Sequence, residues 1–273
     1  MRSMVVLLAL FCAGLSLQAQ EQPHNPVFSD PIANPFEARI GSMYQVSDER
    51  LRLDIGASMN WMRDTLMALG VSDLHVELGA DFMTWSRLRV ETNFKFPVET
   101  IDYWFGVHAN IGAEGSPWQG RVRVAHISSH VVDGALTSSG RLVPEPFVYS
   151  REFVEVLIAH RPAAFPHVRF YGGMTAVWAT QPDDCDPFIP QAGVDVQVPM
   201  GGPWSFYGGY DVRLVGIRDR YHHATAWQAG VKLANANGTG LLLSLYRYLG
   251  RSLHGMYYQD FDDYYAVGFQ LLL

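Results

Sequence analysis

Hydrophobic and polar residues alternate with a period of two along most of the chain. In ERLRLDIGASM, Leu51, Leu53, Ile55, Ala57 and Met59 share one face of an extended strand, while Arg50, Arg52, Asp54 and Ser58 share the other. SDLHVELGADF sets Leu74, Val76, Leu78, Ala80 and Phe82 against Asp73, His75, Glu77 and Asp81. SRLRVETNFKF and QAGVDVQV repeat the pattern, the latter with Ala192, Val194, Val196 and Val198 opposite Gln191, Asp195 and Gln197. Thirteen such segments can be marked, at roughly 36–45, 49–59, 72–84, 86–96, 99–111, 119–130, 147–159, 167–179, 189–198, 203–214, 223–234, 239–249 and 262–273.

Two architectures satisfy such alternation. A soluble sandwich hides the apolar faces in a core; a transmembrane barrel turns them to lipid and the polar faces to a lumen. The segments run to about 9–13 residues, which suits tilted spanning strands better than the usual soluble length of about 5–6. The polar faces carry both charge signs. Trp85, Trp118, Trp178, Trp204, Tyr257, Tyr258, Tyr264 and Tyr265 fall near segment ends, where an aromatic girdle belongs. The pattern therefore predicts an all-β protein: a transmembrane, antiparallel, up-and-down β-barrel of about twelve strands, with ten or fourteen as alternatives. Bacterial single-chain barrels have even strand numbers, and the segment at 36–45, preceded by the proline-rich NPVFSDPIANPF, is the one to drop.

The opening MRSMVVLLALFCAGLSLQAQ has a charged start, an apolar middle and small residues near Ala19, so residues 1–19 are expected to be a secretory signal peptide. Residues 20–35 are then a periplasmic N-terminal segment and 36–273 the barrel. The last strand, with Tyr265, Val267, Phe269, Leu271 and Leu273 on one face, looks like the C-terminal signal read by the barrel assembly machinery. Counting back from a periplasmic end, loops 250–261, 215–222, 180–188 and 131–146 lie outside, and 235–238, 199–202 and 160–166 inside. The location implied is the outer membrane of a Gram-negative cell. After the signal only Cys185 remains, so no intramolecular disulfide can form. The net charge of −7 and the lack of a basic run argue against nucleic acid as a partner. Lys95 and Lys232 are the only lysines; every other basic residue is an arginine, suited to fixed pairing with carboxylates in confined places.

RVRVAHISSHVVDGALTSSG, Arg121 to Gly140, carries the candidate chemistry. Arg121 and Arg123 share the lumen face with Ser129; Val122 and Val124 share the opposite face with His126, Ser128 and His130. In the next segment Ser150 and Glu152 fall on the apolar face and Arg151 and Glu155 on the other. Polar groups facing hydrocarbon cost several kcal/mol when unpaired, so His126, Ser128 and Glu152 together need a reason. Nucleophilic acyl transfer supplies one. Ser128 is the candidate nucleophile, His126 its base and Glu152 the group that orients the imidazole. His130, Ser129, Ser150 and Asp133 are candidate substrate-binding residues, and lipid esters of the outer membrane the candidate substrates.

The H-x-S pattern, here His126-Ile127-Ser128, resembles outer-membrane phospholipase A and the lipid A deacylase, barrels whose His and Ser stand two apart with an Asn or Glu from the next strand. That resemblance implies a serine lipid esterase, and it implies calcium and a homodimer, neither of which the residues themselves require. Over most of the chain, HISSHVVDGAL, FVYSREFVEVLIA, RFYGGMTAVW and IPQAGVDVQV resemble domain-of-unknown-function family 1207, outer-membrane proteins with no assigned activity. Where that family reads Leu-Gly-Asp-Glu after the histidine, this chain has VVDG.

Blander readings stand beside these. The polar residues near His126 can simply rise into the interface of a non-catalytic barrel: a narrow channel, a structural protein, or a lipid- or partner-binding protein. His126 and His130 lie roughly 13 Å apart on an extended strand, too far to share one metal with Asp133. His222 and His223 read as a solvated loop pair, Asp183, Asp184 and Asp186 as a solvated acidic loop, and the GlyGly pairs of FYGGM and FYGGY as relief of crowding. Inward arginines and carboxylates would nearly fill a twelve-stranded lumen.

Overall fold

The computed structural model describes residues 27–65, 74–137, 139–218, 220–235 and 238–272. The expected signal peptide lies outside these residues. Twelve strands follow one another along the chain: β1 Ile40–Gln45, β2 Arg50–Thr65, β3 Leu74–Arg89, β4 Val98–Ala113, β5 Trp118–Val131, β6 Tyr149–His160, β7 Val168–Gln181, β8 Phe188–Gly201, β9 Trp204–Ile217, β10 Arg220–Ala234, β11 Gly240–Arg251 and β12 Phe261–Leu272. Each pairs antiparallel with its chain neighbours. β1 pairs with β12, from Ile40 opposite Leu271 to Gln45 opposite Ala266, and closes the barrel.

The count of twelve agrees with the sequence pattern, but its route differs in two places. The segment at 36–45 is not dispensable, because its residues 40–45 form the closing strand. The segments 72–84 and 86–96 are instead one strand, β3, which runs through Trp85 to Arg89. A turn follows, with Asn93 and Phe94 at positive φ. Trp85, Thr84 and Ser86 interrupt the polarity pattern because this stretch is covered on both faces, so burial there hides the alternation that marks a strand.

Pleat parity holds around the wall. Arg52, Asp54, Asp81, Arg121, Arg123, Glu155, Arg169, Asp195 and Asp211 point inward and are buried. They neutralise one another, as with Arg52 and Asp54 at 2.7 Å, Arg123 and Asp81 at 2.9 Å, and Arg169 and Asp195 at 2.5 Å. Buried charges persist only when so paired. Outward, Ile55, Val124, Ile158 and Leu245 are exposed, the last by 65%. A wall apolar outside and ionic inside is that of a transmembrane barrel. Trp118, Trp178, Trp204 and Tyr265 lie on the outer surface as a girdle requires. Trp85, Tyr258 and Tyr264 do not: they are buried inside, and Trp85 donates its indole N–H to the Leu253 carbonyl at 3.1 Å.

The chain itself occupies much of the lumen. Residues 27–39, partly within the stretch expected to be a periplasmic segment, run inside the barrel. Phe28 lies beneath the guanidiniums of Arg121 and Arg169, at 4.9 and 5.5 Å from its ring. The Ile32 N–H donates to Asp195 at 2.9 Å, and Arg213 donates to the Asn34 side chain at 2.6 Å. Glu37 accepts from Arg121 at 2.6 and 3.0 Å and from Arg123 at 2.8 Å. Phe36 reaches furthest, edge-on to Trp85 at 5.5 Å. Gly209, from FYGGY, makes room for this insert: a Cβ there would meet Ile32 at 2.9 Å and Asp195 at 3.0 Å. The crowding that the sequence suggests is thus specific.

The two longest connections, 132–148 and 252–260, lie at the same end, which loop length marks as the outer one. The second of these folds inward through a single 3-10 turn at Gly255–Tyr257. Asp102 holds it, accepting from His254 Nδ1 at 2.9 Å and from the Gly255 N–H at 2.8 Å.

A candidate active site on the outer wall

The site is assembled by the β5–β6 pairing. His126 stands opposite Glu152 and Ser128 opposite Ser150, which register alone decides. All four side chains project outward, while their neighbours Ile127, Ser129, Tyr149, Arg151 and Phe153 turn into the barrel. His126 Nδ1 lies 2.9 Å from Glu152 Oε1. A carboxylate accepts, so in the neutral imidazole this contact selects the tautomer with the proton on Nδ1 and the lone pair on Nε2. The Ser150 hydroxyl donates to the same Glu152 oxygen at 3.0 Å. The His126 and Glu152 side chains are 39% and 34% exposed on the barrel surface, so this is an accessible pair and not a core contact.

Height follows from strand geometry. At about 3.3 Å per residue and a tilt of about 40°, each residue climbs roughly 2.5 Å. Ser128 therefore lies about 8 Å, and His126 about 13 Å, below the outer end of β5. A tilted strand of this length overshoots the ~25 Å apolar band, which puts the hydroxyl near the outer interface and the imidazole just beneath it.

Of the remaining candidates, His130 shares the outward face and stands edge-on to Tyr103, ring centres 5.7 Å apart. Asp133 is exposed in the turn above. Ser129 is elsewhere: it faces the lumen, 3% exposed, and accepts from the Met256 N–H at 3.2 Å. An odd-numbered β5 residue cannot reach a substrate on the even-numbered face. The Ser128 hydroxyl makes no hydrogen bond to His126 among the described residues, although the two side chains share a face.

One feature of the site escapes a reading focused on polar residues. Tyr103 and Phe105 of β4 stand opposite Ser128 and His126, and Phe82 of β3 continues the row. Phe82 and Phe105 are 5.1 Å apart, and Tyr103 and Phe105 6.4 Å. The signal was present in the alternation of Tyr103, Phe105 and Val107, but only the register shows which polar residues they flank.

Other sequence candidates are committed elsewhere. His222 faces Arg251 at 3.1 Å and is not a solvated loop residue. Asp184 is engaged by Tyr258 at 2.9 Å and Arg218 at 3.1 Å and does not simply face solvent. Among the described residues no three His, Cys, Asp or Glu side chains converge as a metal site would require. The calcium implied by the phospholipase resemblance therefore finds no such donor set.

A family profile described as "Protein of unknown function (DUF1207)" matches residues 15–271. No curated protein matches the sequence. Among solved structures, outer membrane phospholipase A from Escherichia coli superposes with a TM-score of 0.53 at 12% identity, covering 93% of this chain and 94% of that one. An active-site mutant of the same enzyme, with an asparagine replaced by alanine, superposes at 0.54 and 12% identity over the same shares. At this identity the likeness is one of fold.

Proposed function

The chain belongs to the DUF1207 family, and from that premise we propose that it is an outer-membrane barrel of Gram-negative cells that hydrolyses acyl esters of outer-leaflet lipids on its lipid-facing wall. The observation that carries this reading is the His126–Glu152 contact at 2.9 Å, beside Ser128 on an otherwise apolar surface. Export through the signal peptide and insertion by the barrel assembly machinery through β12 are the corresponding route.

Each group has a role. Glu152 holds the Nδ1–H and favours the imidazolium that forms during reaction; His126 Nε2 takes the proton of Ser128 as the serine oxygen attacks the ester carbonyl. Collapse of the tetrahedral adduct breaks the acyl–oxygen bond, and His126 returns the proton to the departing alcohol. Water, deprotonated by the same imidazole, then cleaves the acyl-serine to fatty acid and free Ser128. The mechanism requires the Ser128–His126 hydrogen bond to form on substrate binding, where catalytic hydrogen bonds often tighten. The Phe82–Phe105–Tyr103 row offers the acyl chain an aromatic bed beside the nucleophile. No step is routed through calcium.

The test is fatty-acid release from phospholipid and from lipid A by reconstituted protein, with Ser128→Ala as control. Activity in wild type that vanishes in the variant supports the proposal; activity absent in wild type, or unchanged in the variant, removes it. A second reading, a polar patch that binds lipid headgroups or a second copy of the chain without reacting, draws on the Ser150–Glu152 bond, which occupies the carboxylate oxygen that orients His126. Headgroup-dependent binding without product would favour it.

A further inference from the structure

Behind the β5–β6 wall lies an internal chamber that the esterase proposal does not use. Pro35 and Phe36 of the inserted segment line it, as do Leu253 and Tyr258 of the inward-folded outer loop; Trp85, Trp104, Phe153 and Tyr248 are among its walls. The insert comes from the inner end and the loop from the outer one, so between them they bound the space. The cavity is about 70 Å³, room for a small molecule and not for a long acyl chain. Apolar cavities of this kind stay dry and take apolar guests. This one, however, also has charge on its lining.

Arg151, Arg213 and Arg251 contribute to the lining, with Glu155 and Asp211 as the carboxylates. Those carboxylates are already used. Glu155 pairs with Arg121 at 3.0 Å, and Arg213 lies 3.4 Å from Asp211 and 3.9 Å from Glu155. Among the described residues Arg151 has no such partner: it donates to the Cys185 sulfur at 2.7 Å and lies 5.1 Å from the Tyr149 ring. Its Nε is buried without an acceptor, and so is that of Arg251. Elsewhere in this lumen arginines find carboxylates; here a guanidinium faces an aromatic chamber with a thiol for its neighbour. Leaving such a cation uncompensated costs more than pairing it with an anion.

We propose that the chamber is a binding site for a compact amphipathic anion, with one acidic head for Arg151 and an apolar body of a few carbons for the aromatic walls. The guanidinium supplies planar donors that match a carboxylate, and Phe36, Trp104 and Phe153 supply the surface that would exclude water around it. Access is from the outer side, past the loop 252–260. The proposal is independent of ester hydrolysis, since Ser128, His126 and Glu152 lie on the other face of the wall.

The experiment uses the full chain in nanodiscs, with butanoate as probe and its neutral counterpart butanamide as control, read by saturation-transfer NMR. Expected is saturable transfer to butanoate, weakened at least tenfold for butanamide and for Arg151→Met. Ala226→Phe, which fills the chamber from β10 without touching Arg151's charge, should abolish it; Ser128→Ala should leave it intact. Non-saturable transfer in wild type overturns the proposal, as does equal binding of acid and amide. Survival of butanoate binding in a folded Ala226→Phe protein does so too, and this variant keeps the test decisive if Arg151→Met does not fold.

Discussion

Replacing Glu37 by glutamine removes the charge that fastens the inserted segment to the barrel wall. Glu37 is 3% exposed and accepts from Arg121, Arg123 and the Asn34 amide, the last at 2.6 Å. Breaking a buried ion pair costs about 3–5 kcal/mol. The cost here falls at the lower end, because Arg123 keeps Asp81 at 2.9 Å and Arg121 keeps Glu155 at 3.0 Å. A loss of about 3 kcal/mol is roughly a hundredfold in the folding equilibrium. Glu37→Gln preserves shape, so a cavity does not contribute. The assay is equilibrium unfolding in denaturant from lipid vesicles, followed by tryptophan fluorescence.

The pH dependence of the same variant gives a second readout. Burial pushes the Glu37 carboxyl up, but Arg121 and Arg123 outweigh it and hold the group well below its ordinary value of 4.5. Ionised Glu37 thus stabilises the folded state fully above about pH 4.5, and its contribution is lost as the pH falls from there through the folded-state value. Wild type should lose its advantage over Glu37→Gln progressively on acidification below that point. A stability difference under ~1 kcal/mol at neutral pH, or one that grows in acid, would refute the assigned role of this carboxylate.

Four further outcomes are expected. Glu152→Gln should lower kcat for ester release by roughly 10²–10⁴-fold with little change in KM, because a carboxamide can still accept Nδ1–H but cannot offset imidazolium charge; steady-state kinetics on micellar ester check it. Gly209→Val should push the insert away from Asp195 and destabilise the barrel by about 1–3 kcal/mol, read as a lower denaturation midpoint. Asp102→Ala should release the loop 252–260, costing about 2–3 kcal/mol for two hydrogen bonds, and limited proteolysis should then cut this loop faster than in wild type. In planar bilayers the native chain should be electrically silent, and a variant lacking residues 27–35 should conduct; equal conductance would show that the insert does not seal the lumen.

The sequence by itself determined the wall. Period-two alternation is a local property, since each residue's face follows from its neighbours, so the lipid and lumen sides of Arg52, Asp81, Arg123, Val124, His126 and Glu152 were all readable before any fold was known. It also placed Ser128 on the same face as His126, and by parity alone it already set Ser129 on the other. What it did not determine depends on contacts between residues far apart in the chain. Whether 40–45 was a strand depended on β12, more than two hundred residues away, being there to pair with it. Whether Glu152 was level with His126 depended on the β5–β6 register, which a one-residue slip would have undone. The girdle assignment of Trp85 and Tyr264 failed because an aromatic residue near a strand end can serve either face. The inserted segment had no periodicity to announce it: residues 27–39 are held by individual side-chain bonds to β3, β5, β8 and β9, which exist only once the barrel has closed around them.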